Sequence, residues 1–254
     1  MTTWDALLLV SFGGPEGPGD VLPFLRRVTE GRGVSDERLA EVGEHYALFG
    51  GVSPINGQNR ELLAALRGAV GLPVYWGNRN APPLLAEALT EMRDDGVRRA
   101  LAYVTSAYSS YSGCRQYRED IARAQEAVPG APAVDKLRVF YNHPAFVACF
   151  DDAVEAARQR LGVDRPYLLF TAHSMPLLQA RTSAYEMQLR QTARLVAGAL
   201  DWELAWQSRS GPPQVPWLEP DVGEVLERLA AQGVPVVILV PIGFVSVHLE
   251  VVYD

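Results

Sequence analysis

Short apolar runs alternate with amphipathic stretches from one end of this chain to the other, and few folds accept that pattern. The strand candidates are Ala6–Ser11, Pro73–Trp76, Arg99–Thr105, Tyr167–Thr171, Leu204–Trp206 and Val236–Pro241. Helix-like stretches lie between them, at Asn59–Ala69, Pro82–Asp95, Gln116–Ala127, His143–Leu161, Tyr185–Leu200 and Pro220–Gln232. A strand that returns through a helix to the next strand runs parallel to it, so the fold class is α/β, with parallel sheets flanked by helices. The strands read as apolar throughout, which suits strands buried on both faces.

A polar stretch bearing proline and glycine, Val128–Lys136, breaks the alternation. We therefore read two Rossmann-like lobes, residues 1–140 and 141–254, with the helix from His143 as the link and a cleft between them. Ligands of such sheets bind beyond the carboxyl ends of the strands, which directs attention to the segments that follow them.

Composition excludes several classes. With 254 residues, 48% hydrophobic and 21% charged, the chain is long enough for two cores. A net charge of −7 argues against nucleic acid as the main partner. The longest apolar run, Val234–Val245, is interrupted by Pro235, Pro241 and Gly243, so no transmembrane segment is expected. No signal peptide is visible. The two cysteines, Cys114 and Cys149, do not make a disulfide framework. The expected location is cytoplasmic and the expected state a monomer.

Four segments carry candidate chemistry. Ser11-Phe12-Gly13-Gly14-Pro15-Glu16-Gly17 follows a strand but lacks the spacing of a dinucleotide loop, and its prolines disturb the helix start a phosphate would need. Its glycines suit a tight turn that lets a flat ligand approach the backbone. His173, in Thr171-Ala172-His173-Ser174-Met175-Pro176, closes a buried strand, where imidazole serves as base or metal ligand or else bonds a neighbouring loop. Glu250 and Asp254 are four apart and would share one helical face, suited to a divalent cation or simply to solvent. The loop Trp206–Leu218, rich in proline and tryptophan, offers Trp217 as a wall for a planar apolar ligand, or as packing beneath the loop.

Together these segments resemble the ferrochelatase family, in the right order and over essentially the whole chain. The resemblance also rests on Gly50-Gly51-Val52-Ser53-Pro54-Ile55, Gly77-Asn78-Arg79, Trp206-Gln207-Ser208, Pro216-Trp217-Leu218 and Val247-His248-Leu249-Glu250. It is nearest the actinobacterial type, which metallates coproporphyrin III, and it implies insertion of Fe²⁺ into a porphyrin in haem biosynthesis. Protoporphyrin IX as substrate, or a cobalt or nickel tetrapyrrole chelatase, are the alternatives. The resemblance assigns His173 and Glu250 to the metal site and catalysis, and Ser53, Tyr117, Phe12, Thr29, His45 and Tyr46 to porphyrin contacts. Cys114 matches one ligand of the [2Fe–2S] cluster some members hold; the other three would lie past Asp254, so the cluster is expected only in a longer chain. The sequence is expected to end before its natural C-terminus. Phe12 stands where some relatives have tyrosine, and Val247 where aspartate usually precedes the histidine.

On this reading His173 takes pyrrole protons, Glu250 with Asp254 attracts and partly dehydrates the cation, and Phe12 and Trp217 grip a bent macrocycle. No redox cofactor is required. A nucleotide-dependent oxidoreductase and a metal or haem carrier are the competing classes, set against the missing phosphate loop and the missing export signal.

Overall fold

A computed structural model describes residues 3–31, 33–246, 248 and 251. They form two compact units. The first takes the chain up to Thr105 together with Gln116–Arg138, and the second takes Ser106–Arg115 together with Val139–Val245.

The first unit runs β1 (Ala6–Ser11), α1 (Pro18–Val28), α2 (Asp36–Ala47), α3 (Ile55–Ala69), β2 (Val74–Asn78), α4 (Leu85–Asp94), β3 (Arg99–Val104), α5 (Gln116–Ala127) and β4 (Ala133–Lys136). Its four strands are all parallel, in the order β2-β1-β3-β4. The unbroken apolar run of β1 explains its central place, for every one of its residues is buried. Ala6, Leu8 and Val10 pack with Leu85, Leu89 and Met92 of α4 and with Tyr117 and Ile121 of α5.

The structure departs from the sequence pattern in two places. Val128–Lys136 does more than break the alternation, because its last four residues form β4, paired with β3 from Arg99↔Ala133 onward. An edge strand is hydrogen-bonded on one side and partly solvated, so it carries no apolar run to betray it. Nor are all strands apolar on both faces: β3 alternates half-buried with buried residues. Between β1 and α3 lie α1 and α2, which the periodicity does not resolve. Their caps differ, since Gly17 gives α1 no side-chain bond whereas the hydroxyl of Ser35 accepts from Arg38 N at 3.3 Å to start α2.

The second unit holds α6 (Pro144–Leu161), β5 (Tyr167–His173), α7 (Leu177–Arg181), α8 (Tyr185–Ala197), β6 (Trp202–Gln207), α9 (Val222–Ala231) and β7 (Val237–Val240). Its parallel sheet has the order β6-β5-β7. Residues from α6 and α8 pack with Leu168, Phe170 and Ala172 of β5, while Val225 and Leu229 of α9 pack with Leu169 and Ala205. Cys149, although it lies in the apolar stretch of α6, is exposed. The buried line of α6 runs through Val147 and Val154, and a residue two positions after Val147 points about 200° away from it.

Candidate active site

In the first unit the loop after β1 is held by buried amides. Asn59 Nδ2 donates to Ser11 Oγ at 2.7 Å, and Asn56 Nδ2 to the carbonyl of Gly14 at 3.0 Å. The N–H of Asn80 donates to the carbonyl of Phe12 at 3.1 Å. Gly13 has φ +76°, and a Cβ there would stand 2.8 Å from Asn78 Cβ. A Cβ on Gly14 would stand 2.6 Å from Ser53 Cβ and 2.7 Å from Ile55 Cγ2. These glycines therefore let the loop press against β2 and α3, as an approach turn requires.

The side chains around this loop converge. Phe12 meets Phe24 edge-on with ring centres 6.0 Å apart, and Phe24 meets Tyr46 in the same way at 5.9 Å. The guanidinium of Arg79 lies 5.6 Å from the centre of the Phe12 ring and 4.5 Å from that of Tyr117. Its Nε donates to Asp120, and the side chains of this ion pair are 7% and 13% exposed. Burial pushes the Tyr117 hydroxyl above its ordinary range, against the pull of the adjacent Arg79 charge. Thr29 ends α1 with its hydroxyl donating to Leu25 O at 2.8 Å, and half-buried His45 precedes Tyr46 in the last turn of α2. Ser53 is buried beneath Gly14. Of the expected porphyrin positions, Phe12, Tyr46 and Tyr117 are thus joined through Phe24 and Arg79, and Ser53 braces the loop that carries Phe12.

Sequence reasoning singled out neither Asp120 nor the side chains of Asn56, Asn59 and Asn80. Arg79 appeared only within a motif, because nothing local announces an ion partner 41 residues away.

In the second unit His173 is the last residue of β5, paired with Gln207. Its Nδ1 contacts the carbonyl of Ser174. A carbonyl oxygen only accepts, so this contact calls for the proton on Nδ1, which in the neutral ring leaves the lone pair to Nε2. The Tyr185 hydroxyl donates to the His173 carbonyl at 3.3 Å. Trp217 is half-buried over Gly211, where a Cβ would come within 2.5 Å of the indole, so the ring packs under its own loop. Its Nε1 is buried and has no hydrogen-bond partner among the described residues. Cys114 is half-buried in a π-turn, Tyr111–Arg115. Among the described residues, no three side chains of the His, Cys, Asp and Glu types gather to hold a metal ion. Glu250, Asp254 and Val247 lie outside the described residues.

The two units define an α/β protein, one unit carrying a histidine at a strand end and the other an aromatic–arginine wall. Comparison with known proteins places it. The ferrochelatase family model matches residues 4–254, and the chain belongs to the ferrochelatase family. It is 57% identical to the coproporphyrin III ferrochelatase of Mycobacterium marinum, over 99% of this chain and 76% of that one. It is 52% identical to the coproporphyrin III ferrochelatase of Streptomyces griseus, over 99% of this chain and 75% of that one. The ferrochelatase of Rhodopirellula baltica is also 52% identical, again over 99% and 75% of the two chains. The chain is therefore an enzyme, a porphyrin metal chelatase of haem biosynthesis, with ferrous iron and a porphyrin as substrates. Among the described residues, no helix is long and apolar enough to cross a membrane.

Proposed function

We propose that this chain inserts Fe²⁺ into coproporphyrin III to give coproheme, working as a monomer in the cytoplasm. The observation that carries the porphyrin class is the wall built from Phe12, Arg79 and Tyr117 at the carboxyl ends of β1 and β2. It presents flat aromatic surface held rigid by the buried Arg79–Asp120 ion pair, which fits a planar ring. Two further propionates distinguish coproporphyrin III from protoporphyrin IX. The hydroxyls of Ser53, Tyr117, Thr29 and Tyr46, with His45 and the exposed Arg26 and Arg27, supply polar groups on the same unit. The names of the mycobacterial and streptomycete relatives support the same choice.

Metallation removes two pyrrole N–H protons and replaces the water around the ion. The lone pair on Nε2 of His173 takes one pyrrole proton at a time and releases it to water, or binds the entering ion. Glu250 is assigned to the attraction and partial dehydration of the cation, with Asp254 four residues on in the sequence as a second acid, and Phe12 to contact with the macrocycle. Cys114 offers at most one of the four ligands a [2Fe–2S] cluster takes.

The test is anaerobic insertion with coproporphyrin III and protoporphyrin IX side by side, using Fe²⁺, Co²⁺ and Ni²⁺. The expected result is a specificity constant for Fe²⁺ and coproporphyrin III at least about tenfold above the other pairs, a difference of about 1.4 kcal/mol. Equal constants for the two porphyrins would overturn the substrate choice, and a preference for Co²⁺ or Ni²⁺ would overturn the metal.

A further inference from the structure

We propose that Ser174 is the positioning residue of His173: its buried hydroxyl holds the peptide whose carbonyl sets the tautomer of the imidazole. The proposal rests on the reading of His173 as the proton-accepting or iron-binding group.

Ser174 is only 3% exposed, and it is tied in three directions. Its N–H donates to the carbonyl of Gln207 at 2.8 Å. Its hydroxyl donates to the carbonyl of Leu218 at 2.8 Å. Its own carbonyl faces His173 Nδ1. Around it the loop is stitched further, with Leu218 N–H donating to Met175 O at 3.0 Å and Leu177 N–H to Pro216 O at 3.0 Å. Pro176 and Trp217 form an antiparallel bridge between these bonds.

Alanine would fill nearly the same space, so packing alone does not explain a hydroxyl here. A buried hydroxyl costs free energy unless it is bonded, and this one has its bond to Leu218. That bond fixes the Ser174 peptide on the side away from the sheet, while the Gln207 bond fixes it on the sheet side. With both in place the carbonyl points at Nδ1. The nitrogen opposite a hydrogen-bonded Nδ1–H is the one left to accept a proton or a metal ion. The same bond ties the Trp217 loop to the strand that ends in His173.

The experiment is long-range ¹H–¹⁵N NMR on protein carrying ¹⁵N-histidine, at about two pH units above the ordinary histidine pKa of about 6.5. The chain has four histidines, and the spectrum of H173Q assigns the signal of His173. The expected wild-type signal is the Nδ1–H tautomer. In S174A, checked by its melting temperature to be folded, the two tautomers should mix, and kcat for Fe²⁺ insertion should fall by about tenfold while the KM for porphyrin changes less. An Nε2–H tautomer in the wild type would overturn the proposal without any variant. An unchanged Nδ1–H signal in S174A would overturn it as well. Mixed tautomers with an unchanged rate would uphold the positioning by Ser174 and overturn instead the role given to His173.

Discussion

Arg79 stacks its guanidinium on Tyr117, with 4.5 Å between the guanidinium carbon and the ring centre. A charge so deeply placed persists because Asp120 neutralises it, and Asp120 reaches out to Arg123 as well, at 3.3 Å. Three consequences follow for stability and substrate contact: the ion pair is costly to break, the ring of Tyr117 is held in one orientation, and Phe12 shares the same cation.

Removing only Asp120 strands the Arg79 charge. D120A should lose about 3–5 kcal/mol of unfolding free energy, because an uncompensated buried charge is left behind. Urea denaturation of D120A and of the double variant R79M/D120A measures this. The double variant should be the more stable of the two, and the opposite order would show that Arg79 is already solvated in the folded protein.

His173→Ala should lower the rate of Fe²⁺ insertion by about 10²–10⁴-fold, the usual loss of a general base, while leaving porphyrin affinity within a fewfold of wild type. Insertion kinetics and porphyrin fluorescence titration on one sample separate the two. Activity above about a tenth of wild type would count against a proton-accepting or iron-binding role.

Gly14 has no room for a methyl group. G14A should cost about 1–3 kcal/mol, since the added carbon would meet Ser53 Cβ at 2.6 Å and Ile55 Cγ2 at 2.7 Å. S53G in the same chain should recover part of the loss. Failure of the second change to help would locate the strain at Ile55 instead.

Asp5 links stability to pH. Its carboxylate accepts from the backbone N–H groups of Arg98 and Arg99, both at 3.0 Å, and these two bonds hold its pKa below the ordinary aspartate value. A depressed carboxylate pKa stabilises the fold above the unfolded-state value of about 3.9 and ceases to do so as pH falls through the lowered folded-state value. D5N should therefore melt below wild type at pH 7, and the gap should close as the pH is lowered through that range. A gap independent of pH would assign the effect to packing.

The class of fold was legible in the residues because burial on both faces demands apolar strands. The runs at Ala6–Ser11 and Tyr167–Thr171 became the central strands of the two sheets. The position of His173 was legible for the same reason, since the apolar run of β5 stops where the sheet does. What tertiary structure alone decided is the company each side chain keeps. β4 exists because β3 offers it an edge, not because its residues are apolar. Cys149 faces water because the buried line of α6 passes on the other side, through Val147 and Val154. Arg79 meets Asp120 across 41 residues, and Ser174 meets Leu218 across 44. Hydrophobic periodicity reports how deeply a segment is buried, because burial acts on every apolar side chain along it. A hydrogen bond or ion pair acts on two atoms only, and the pairing becomes defined when the sheets have brought distant loops to the same strand ends.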